Sequence, residues 1–330
     1  MTQSAPPRAL LLAGPTASGK SALALALARR LGGTIINADS MQIYRELRVL
    51  TARPTPEEEA AVPHRLYGVR PAAEAGSVAW WREAALAEMA AARAAGRLPI
   101  LAGGTGLYFL SLTEGLSAIP PVPPAARAEA RALLAALGAP ALHARLAAAD
   151  PETAAMLRPT DGQRLARAFE VWRGTGRGLA AWQREGARTG PAPWRFAAIL
   201  LDPPREALRA AIAARFDAML AAGAVEEVRA LLALGLDPAL PAMRAHGVPE
   251  LAAHLAGRMT LGEARRRAIL NTGRYTKRQA TWFRHHVLAE PGLTHIIHAR
   301  IAGETQFNDA RWAEIFAFLQ GGVDAVQQGG

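Results

Sequence analysis

The stretch GPTASGKS, residues 14–21, has the spacing of a phosphate-binding loop. The apolar run RALLLAG leads into it as a strand, and KSALALALARRLGG continues from it as a helix. Glycines let backbone amides converge at a helix N-terminus, Lys20 adds a positive charge, and Ser21 offers a hydroxyl to Mg²⁺. The pattern predicts phosphate binding without naming the phosphate. The residues concerned are Gly14, Pro15, Thr16, Ala17, Ser18, Gly19, Lys20 and Ser21.

The composition is that of a basic chain without cysteine. The chain has 330 residues, and 38 Lys and Arg against 28 Asp and Glu give a formal net charge of +10 at pH 7. This charge favours a polyanionic partner, with nucleic acid ahead of a membrane surface, although high-GC coding rich in arginine would give the same balance. The absence of cysteine excludes disulfides, zinc–thiolate sites and iron–sulfur clusters.

Two features of the sequence bear on location. The N-terminal MTQSAPPR lacks the basic start and apolar core of a signal peptide, and we expect no uninterrupted apolar stretch of about 18 residues. A cytoplasmic protein without a membrane span is therefore expected.

Lys20 and Lys277 are the two lysines of the chain, and a compact ammonium suits a phosphate loop better than a planar guanidinium.

Alternating strand and helix patterns predict an α/β fold with a parallel sheet. The pattern stops between the breaker clusters IPPVPP and GARTGPAP, where the sequence is helical throughout. We therefore predict a P-loop NTPase-like parallel sheet with flanking helices and an inserted all-helical domain. The predicted parts are a core over residues 1–119, a helical insert over 120–193 and a return of the core over 194–330.

A long basic helix is predicted in the return of the core. Thr260 and Glu263 form a capping box at its start. Eight Arg or Lys and one acid lie from Arg258 to Arg284. Helical spacing then places one set of side chains on a common, cationic face: Arg267, Asn271, Arg274 and Arg278. The last stretch, GGVDAVQQGG, is predicted to be a loose tail.

Three polar side chains follow predicted strands. Asp39 is predicted to face the bound phosphates, where it would position a metal-bound water or accept a proton, and a simple Asp-Ser turn is the alternative. Asp202 is interpreted as a helix cap in preference to a metal-positioning acid. Thr105, in GGTGLYF, either hydrogen-bonds a leaving-group oxygen or belongs to a tight strand-to-helix connection.

The chain resembles the bacterial tRNA dimethylallyltransferases. The resemblance rests on five stretches in order: GPTASGKS, ADSMQIYRELRVLTARP with PHRLYGV, LAGGTGLYF, DGQRLARAFEV and RYTKRQATWFR. It implies that the loop grips the diphosphate of dimethylallyl diphosphate, not ATP. The dimethylallyl group would pass to the exocyclic amine of the adenosine at tRNA position 37, 3′ of the anticodon, with Mg²⁺ as cofactor.

The resemblance also implies roles for particular residues. Asp39 would be the general base, Thr105 would hydrogen-bond the departing diphosphate, and Lys20 and a Mg²⁺ ion on Ser21 would stabilise its charge. The partners implied are the tRNA anticodon stem-loop, which the insert over 120–193 would grip, and dimethylallyl diphosphate. A monomer is expected. The expected tRNA contacts are Asp39, Ser40, Met41, Gln42, Arg127, Gln163, Arg164, Leu165, Ala166, Arg167, Arg244, Gly247, Arg274, Lys277 and Arg278.

One segment departs from the family pattern. The family carries Gly-Tyr-Arg-Gln where this chain has AHGVPEL, with Val248, Pro249 and Glu250 in place of the aromatic, the cation and the amide. A contact with tRNA at this segment is therefore in doubt. The main alternative function is an ATP-dependent small-molecule kinase, and a catalytically silent RNA-binding protein is the third.

Overall fold

The first strand of the chain lies inside a six-stranded sheet in which every pair of neighbours is parallel, in the order β3-β2-β4-β1-β5-β6. The computed structural model describes residues 6–185, 189–303 and 309–324. The strands are β1 (Arg8–Ala13), β2 (Gly33–Asn37), β3 (His64–Arg65), β4 (Leu98–Gly103), β5 (Arg195–Leu201) and β6 (Thr294–Ile297). The predicted parallel α/β sheet is confirmed.

Thirteen α-helices are described. They are α1 (Lys20–Leu31), α2 (Pro56–Ala61), α3 (Val78–Ala94), α4 (Gly106–Thr113), α5 (Pro124–Ala149), α6 (Pro151–Ala155), α7 (Gly162–Thr175), α8 (Leu179–Glu185), α9 (Arg205–Ala221), α10 (Ala224–Ala233), α11 (Val248–Leu255), α12 (Leu261–His285) and α13 (Asp309–Asp324). Short 3-10 helices span Ala242–Arg244 and Pro291–Leu293.

The chain divides into two compact units. One is formed by Met1–Glu114 with Pro191–Gly330 and contains the sheet, and the other is Gly115–Gly190 with helices α5 to α8. In the sheet unit, Leu11 of β1 packs into one apolar cluster while Leu10 and Leu12 pack into another. Because successive strand residues point to opposite faces, this central strand is buried on both sides.

Local signals set several helix ends. The Ser77 side chain accepts a hydrogen bond from the Trp80 N–H at the start of α3, which is the usual role of serine before a helix. Thr260 and Glu263 form the predicted capping box of α12. Gly32 ends α1 with a left-handed φ of 62°, a conformation that glycine adopts at low cost.

The interpretation of Asp202 as a helix cap is wrong. Helix α9 begins at Arg205, and its N-cap is Pro204, which has no side-chain hydrogen bond to offer. The Asp202 carboxylate instead accepts two hydrogen bonds from Arg284 of α12, at 2.8 and 3.0 Å. Asp202 therefore ties the end of β5 to the basic helix.

The prediction of a loose C-terminal tail also needs correction. Helix α13 continues to Asp324, so residues 321–324 of the predicted tail are helical. Trp312 and Ile315 of this helix pack into the apolar cluster of Leu10 and Leu12, which supports the helix. Residues 325–330 lie outside the described residues.

One described helix, α5, has the length and composition of a membrane span. It has 26 residues, and its most apolar 18-residue window has a mean hydropathy of 1.4 and is 11% buried. Arg127, Glu129, Arg131 and Arg145 interrupt this helix, so it contains no uninterrupted apolar stretch of about 18 residues, as the sequence predicts. Gly138 is also non-helical, with φ 77° and ψ 169°, and divides α5 into two pieces. Each piece is shorter than a helix that crosses a bilayer, which needs about 20 residues.

Candidate functional site

The phosphate loop joins β1 to α1 at the carboxyl edge of the sheet, where ligands of open parallel sheets bind. Gly19 has a φ of 97°, and a Cβ at this position would lie 1.9 Å from the Ile301 carbonyl oxygen. The Ile301 N–H donates a hydrogen bond of 2.9 Å to the Ser18 carbonyl. The segment after β6 therefore packs directly on the loop, and only glycine fits at the start of α1.

A cavity of about 200 Å³ lies between the loop and the strand ends. It is lined by Thr16, Ala17, Gly19, Lys20, Ser21, Ala22, Asp39, Gln42, Thr51, Tyr67, Ala102, Gly103, Ala211, Arg215, Arg300, Ile301 and Ala302. The cavity brings Lys20, Ser21 and Asp39 together, although they come from two separate sequence motifs. Gly14, Pro15 and Ser18, also predicted to bind the phosphate, are not among the lining residues.

Ser18 has a buried side chain in this loop. It is 0% exposed, and its hydroxyl has no hydrogen-bond partner among the described residues. A Cβ on Gly14 would lie 2.6 Å from the Leu201 carbonyl oxygen, so β5 packs closely against the start of the loop. Gly14 and Ser18 thus shape the loop, and the loop residues that line the cavity are Thr16, Ala17, Gly19, Lys20 and Ser21.

Lys20 supplies a titratable cation to the cavity. Its Nζ donates a hydrogen bond of 2.7 Å to the Pro15 carbonyl. Burial lowers the pKa of the Lys20 ammonium to about 7; the Asp39 carboxylate opposes this shift, and the Arg215 guanidinium adds to it. A bound anion would favour the charged amine, because it stabilises positive charge at this position.

Two arginines that sequence reasoning missed also line the cavity. Arg215 lies on α9 and donates to the Thr51 carbonyl at 3.2 Å, and burial lowers the pKa of its guanidinium. Arg300 follows β6 and donates to the Ala17 carbonyl at 3.1 Å. No motif marks either residue, because each reaches the loop from a distant part of the chain. Together with Lys20 they give the cavity three cationic groups.

Asp39 is held at the end of β2 by local hydrogen bonds. Its N–H donates to the Asn37 Oδ1 at 2.8 Å, and the Asn37 amide donates to the Asp39 carbonyl at 3.0 Å. Its own Oδ1 accepts from the Met41 N–H at 2.8 Å. Asp39 therefore both makes the Asx turn of the alternative interpretation and presents its side chain to the cavity.

Thr105 lies between β4 and α4 and connects two strand ends. Its N–H donates to the Ala38 carbonyl at 3.2 Å, and its Oγ1 accepts from the Ser40 N–H at 3.0 Å. Thr105 is not among the residues that line the cavity. The hydroxyl is thus held next to Asp39 by the Ser40 backbone.

Of the other residues expected to contact tRNA, four in the sheet unit are exposed. Arg244 lies on the 3-10 helix Ala242–Arg244, and Arg274, Lys277 and Arg278 are exposed on α12. Ser40 and Met41 are partly buried beside Asp39, and Gln42 lines the cavity.

The segment that departs from the family pattern has a structural role. Gly247 is buried at the start of α11, and its N–H donates to the Glu250 carboxylate at 3.2 Å. The other oxygen of Glu250 accepts from Asn271 of α12 at 2.7 Å. The buried Glu250 thus caps α11. Because the Asn271 side chain donates to Glu250, it is not free to contact a ligand as part of the predicted cationic face of α12.

The helical unit contains the remaining expected tRNA contacts. Arg127 is exposed near the start of α5, and Gln163, Arg164 and Arg167 are exposed on α7. Leu165 is 0% exposed and packs in the core of this unit, so its side chain offers no surface to RNA. Ala166 is partly buried.

The donor set near the loop fits a Mg²⁺ ion only in part. Among the described residues, no group of three or more His, Cys, Asp or Glu side chains could hold a metal ion by itself. The cavity offers the Ser21 hydroxyl and the Asp39 carboxylate. Because Mg²⁺ binds through one or two protein oxygens with substrate phosphates and water, this set suits an ion that arrives with a phosphorylated ligand.

Comparisons with known proteins agree over nearly the whole chain. The family model described as IPP transferase matches residues 42–286. The tRNA dimethylallyltransferase of Gluconacetobacter diazotrophicus is 61% identical and covers 99% of this chain and 99% of its own. That of Acidiphilium cryptum is 62% identical and covers 96% of each.

Solved structures give the same result. The crystal structure of the full-length tRNA isopentenylpyrophosphate transferase from Bacillus halodurans has a TM-score of 0.66 at 31% identity, and covers 96% of this chain and 97% of that one. A eukaryotic dimethylallyltransferase acting on tRNA has a TM-score of 0.75 at 22% identity, over 95% of this chain and 80% of that one, and shares the fold.

Proposed function

The chain belongs to the IPP transferase family, and on that premise we propose that it transfers the dimethylallyl group from dimethylallyl diphosphate to the exocyclic amine of the adenosine at tRNA position 37. The observation that carries the proposal is the cavity that Lys20, Arg215 and Arg300 line together with Asp39. Three cations suit a diphosphate, and one carboxylate suits a proton acceptor. A kinase is not favoured, because the relatives are prenyltransferases.

The reaction needs one bond to break and one to form. The bond between the allylic carbon and the diphosphate oxygen breaks, and the electron pair leaves with the diphosphate. The exocyclic nitrogen of adenosine forms a bond to that carbon and loses a proton. Positive groups that face the leaving oxygen lower the barrier because the negative charge develops there. Lys20, Arg215 and Arg300 are the groups proposed for this role.

Asp39 is proposed as the general base. An aromatic amine is a weak nucleophile, so a carboxylate that accepts its proton as the carbon–nitrogen bond forms assists the reaction. The Asn37 and Met41 hydrogen bonds hold Asp39 in place, which favours one orientation of the acceptor. The target base must leave its stack to reach such a group, and an anticodon loop presents its bases unpaired.

Thr105 is proposed to hydrogen-bond the departing diphosphate. Its Oγ1 already contacts Ser40, to whose Oγ it donates at 3.3 Å, so this role requires the hydroxyl to turn toward the ligand. Mg²⁺ is the proposed cofactor, and Ser21 is the residue that would hold it, with Asp39 nearby. When bound, the ion would neutralise part of the diphosphate charge.

The proposed partners are dimethylallyl diphosphate and the tRNA anticodon stem-loop. In the sheet unit the RNA would meet Asp39 to Gln42, Arg244 and the exposed residues of α12. In the helical unit it would meet Arg127 and the exposed residues of α7. We propose a monomeric cytoplasmic enzyme, and the kinked α5 gives no uninterrupted span that would require a membrane.

The test is the formation of the modified nucleoside. The full chain is incubated with tRNA that lacks the modification and with dimethylallyl diphosphate and Mg²⁺, and the digested nucleosides are analysed by mass spectrometry. We expect dimethylallyl adenosine from position 37. Asp39→Asn, which keeps the shape and removes the basicity, should lower turnover strongly with little change in tRNA affinity. A wild-type protein that forms no product would contradict the proposed function.

A further inference from the structure

Gln279 bridges the phosphate loop and the turn after β4. It lies on α12 and is 5% exposed. Its Oε1 accepts a hydrogen bond of 2.9 Å from the Thr16 N–H, and its Nε2 donates one of 2.9 Å to the Gly104 carbonyl. Thr16 lines the cavity, so one side chain of the basic helix supports the ligand-binding loop directly.

Helix α12 packs closely on this turn, which restricts the Gln279 side chain. A Cβ on Gly104 would lie 2.3 Å from the Gln279 Nε2, and a Cβ on Gly106 would lie 2.2 Å from the Trp282 ring. The sequence GGTG thus allows α12 to approach the end of β4 at two points. Because both amide contacts need this approach, a small displacement of α12 would break them.

The exposed part of the same helix carries a cluster of cations. Arg274, Lys277 and Arg278 are all exposed, and within the residues that the structure describes none of them forms an ion pair. The Arg278 guanidinium lies over the Tyr275 ring at 5.7 Å. Gln279 therefore follows two exposed cations directly in sequence, yet it faces the phosphate loop.

We propose that Gln279 is a positioning residue that couples tRNA binding on α12 to diphosphate binding in the phosphate loop. Phosphates of the RNA that contact the exposed cations restrict the motion of α12, and Gln279 then holds the Thr16 amide in its ligand-binding position. A loop that one ligand has already ordered costs less to order for the second. The two ligands therefore strengthen each other's binding by the same factor. This inference rests on the proposed function.

The coupling is measured by binding alone, with inorganic diphosphate as the probe. Calorimetric titration of diphosphate into the full chain, in the presence of Mg²⁺, is carried out with and without saturating tRNA transcript. Inorganic diphosphate has no prenyl group that could touch the adenine, and direct repulsion between two polyanions would weaken binding. We expect diphosphate to bind about fivefold or more tightly when tRNA is bound, within the usual range of such couplings.

Gln279→Met tests the two hydrogen bonds of Gln279 separately from the packing of α12. Methionine keeps the length and the apolar volume of the side chain but makes neither hydrogen bond. We expect the coupling to fall to less than twofold, with tRNA affinity in the absence of diphosphate unchanged. Thr276→Val is the matched control: Thr276 is buried on the same helix, and its hydroxyl donates within α12 to the Thr272 carbonyl. This variant should keep the coupling of the wild type.

Thermal unfolding of each variant accompanies the titrations. If Gln279→Met does not fold, Gln279→Asn takes its place, since its amide is one methylene shorter and cannot hold both contacts. A folded variant with the coupling of the wild type would overturn the proposal, and so would a wild-type protein without coupling. Failure of the proposed function would be a different result. In that case the transfer assay would leave the tRNA unmodified, whether or not the binding titrations show coupling.

Discussion

Lys20 donates a hydrogen bond to the Pro15 carbonyl and lines the same cavity as Asp39 and Arg215. Its ammonium is the cation that the phosphate-loop motif supplies, so its removal should affect the diphosphate and leave the RNA surface intact. For Lys20→Ala we expect the transfer rate to fall by about 10²–10³, the usual loss for a group that stabilises developing charge. Steady-state transfer assays and tRNA binding measure the two effects.

Lys277→Ala is the control for this variant, since it removes the other lysine of the chain. It should weaken tRNA binding and leave the affinity for inorganic diphosphate unchanged. A Lys20→Ala enzyme that transfers the prenyl group near the wild-type rate would show that the loop is not the diphosphate site.

The pKa of Lys20 makes diphosphate binding depend on pH. Burial lowers this pKa from 10.5 to about 7, so the unfolded chain binds more protons than the native state between these values. The group therefore makes the free energy of unfolding rise with pH over this window. A bound diphosphate favours the charged amine and raises its pKa, so binding at pH 8 should take up a proton.

Calorimetric titration of inorganic diphosphate at pH 8, in two buffers of different ionisation enthalpy, measures this uptake. The wild type should take up more protons than Lys20→Met, in which only the titration of diphosphate itself remains. Equal uptake in the two proteins would contradict this prediction, because it would mean that the charge of Lys20 does not change when the ligand binds.

At the scale of elements, α10 anchors the segment that follows the Asp39 turn. The Glu227 carboxylate accepts hydrogen bonds from the backbone N–H groups of Arg48, Val49 and Leu50, at 2.6, 2.6 and 2.9 Å. Glu227→Gln should lower the free energy of unfolding by about 1–3 kcal/mol, because an amide nitrogen then faces backbone donors that have lost their acceptor. Urea denaturation measures the change.

Glu226→Gln provides the matched comparison for Glu227→Gln. Glu226 precedes it on α10, is 71% exposed and pairs with Arg229. Its substitution should change the free energy of unfolding by less than about 0.5 kcal/mol. If the two variants were equally stable, the three backbone contacts of Glu227 would carry no net stability.

The exposed cations of α12 should make tRNA binding depend on the salt concentration. Each phosphate contact on a single-stranded region contributes roughly 0.7 to the slope of log affinity against log salt concentration. The double substitution Lys277→Ala with Arg278→Ala should therefore weaken tRNA binding and reduce this slope by about 1 to 1.5. Filter binding or fluorescence anisotropy over a series of salt concentrations gives the slope.

A second double variant also removes two positive charges, but at the amino ends of the strands. Arg93 and Arg97 are exposed at the end of α3 and before β4, away from the strand ends that form the site. Arg93→Ala with Arg97→Ala should leave the slope nearly unchanged. A wild-type slope in the α12 variant would identify its cations as an ordinary solvated surface.

At the scale of the whole molecule, the sheet could be predicted from the sequence because short-range signals specify it. The β1 strand, the glycines of the loop and the caps at Ser77 and Thr260 are local patterns, and the structure follows them. The role of Asp202 could not be predicted in this way. A carboxylate before a proline-led helix looks like a cap, and only the fold brings Arg284 to it.

The same limit applies to the candidate site. Lys20, Ser21 and Asp39 stand in recognisable motifs, whereas Arg215 and Arg300 stand in none and reach the loop from α9 and from the segment after β6. Gln279 belongs to the stretch RYTKRQATWFR, but that stretch does not reveal its contact with the loop. Sequence spacing carries no information on such contacts, because long-range packing creates them. The buried Leu165 is the reverse case: a motif position expected to contact tRNA proves to be part of a core.

The proposed function requires that the loop of residues 14–21 binds the diphosphate of a prenyl donor and not ATP. This is tested in one reaction that contains the full chain, unmodified tRNA, Mg²⁺, dimethylallyl diphosphate and ATP. Nucleoside mass spectrometry and nucleotide analysis are carried out on the same sample. We expect one diphosphate to be released for each dimethylallyl adenosine formed, with ATP unchanged. Consumption of ATP without modified adenosine would contradict it.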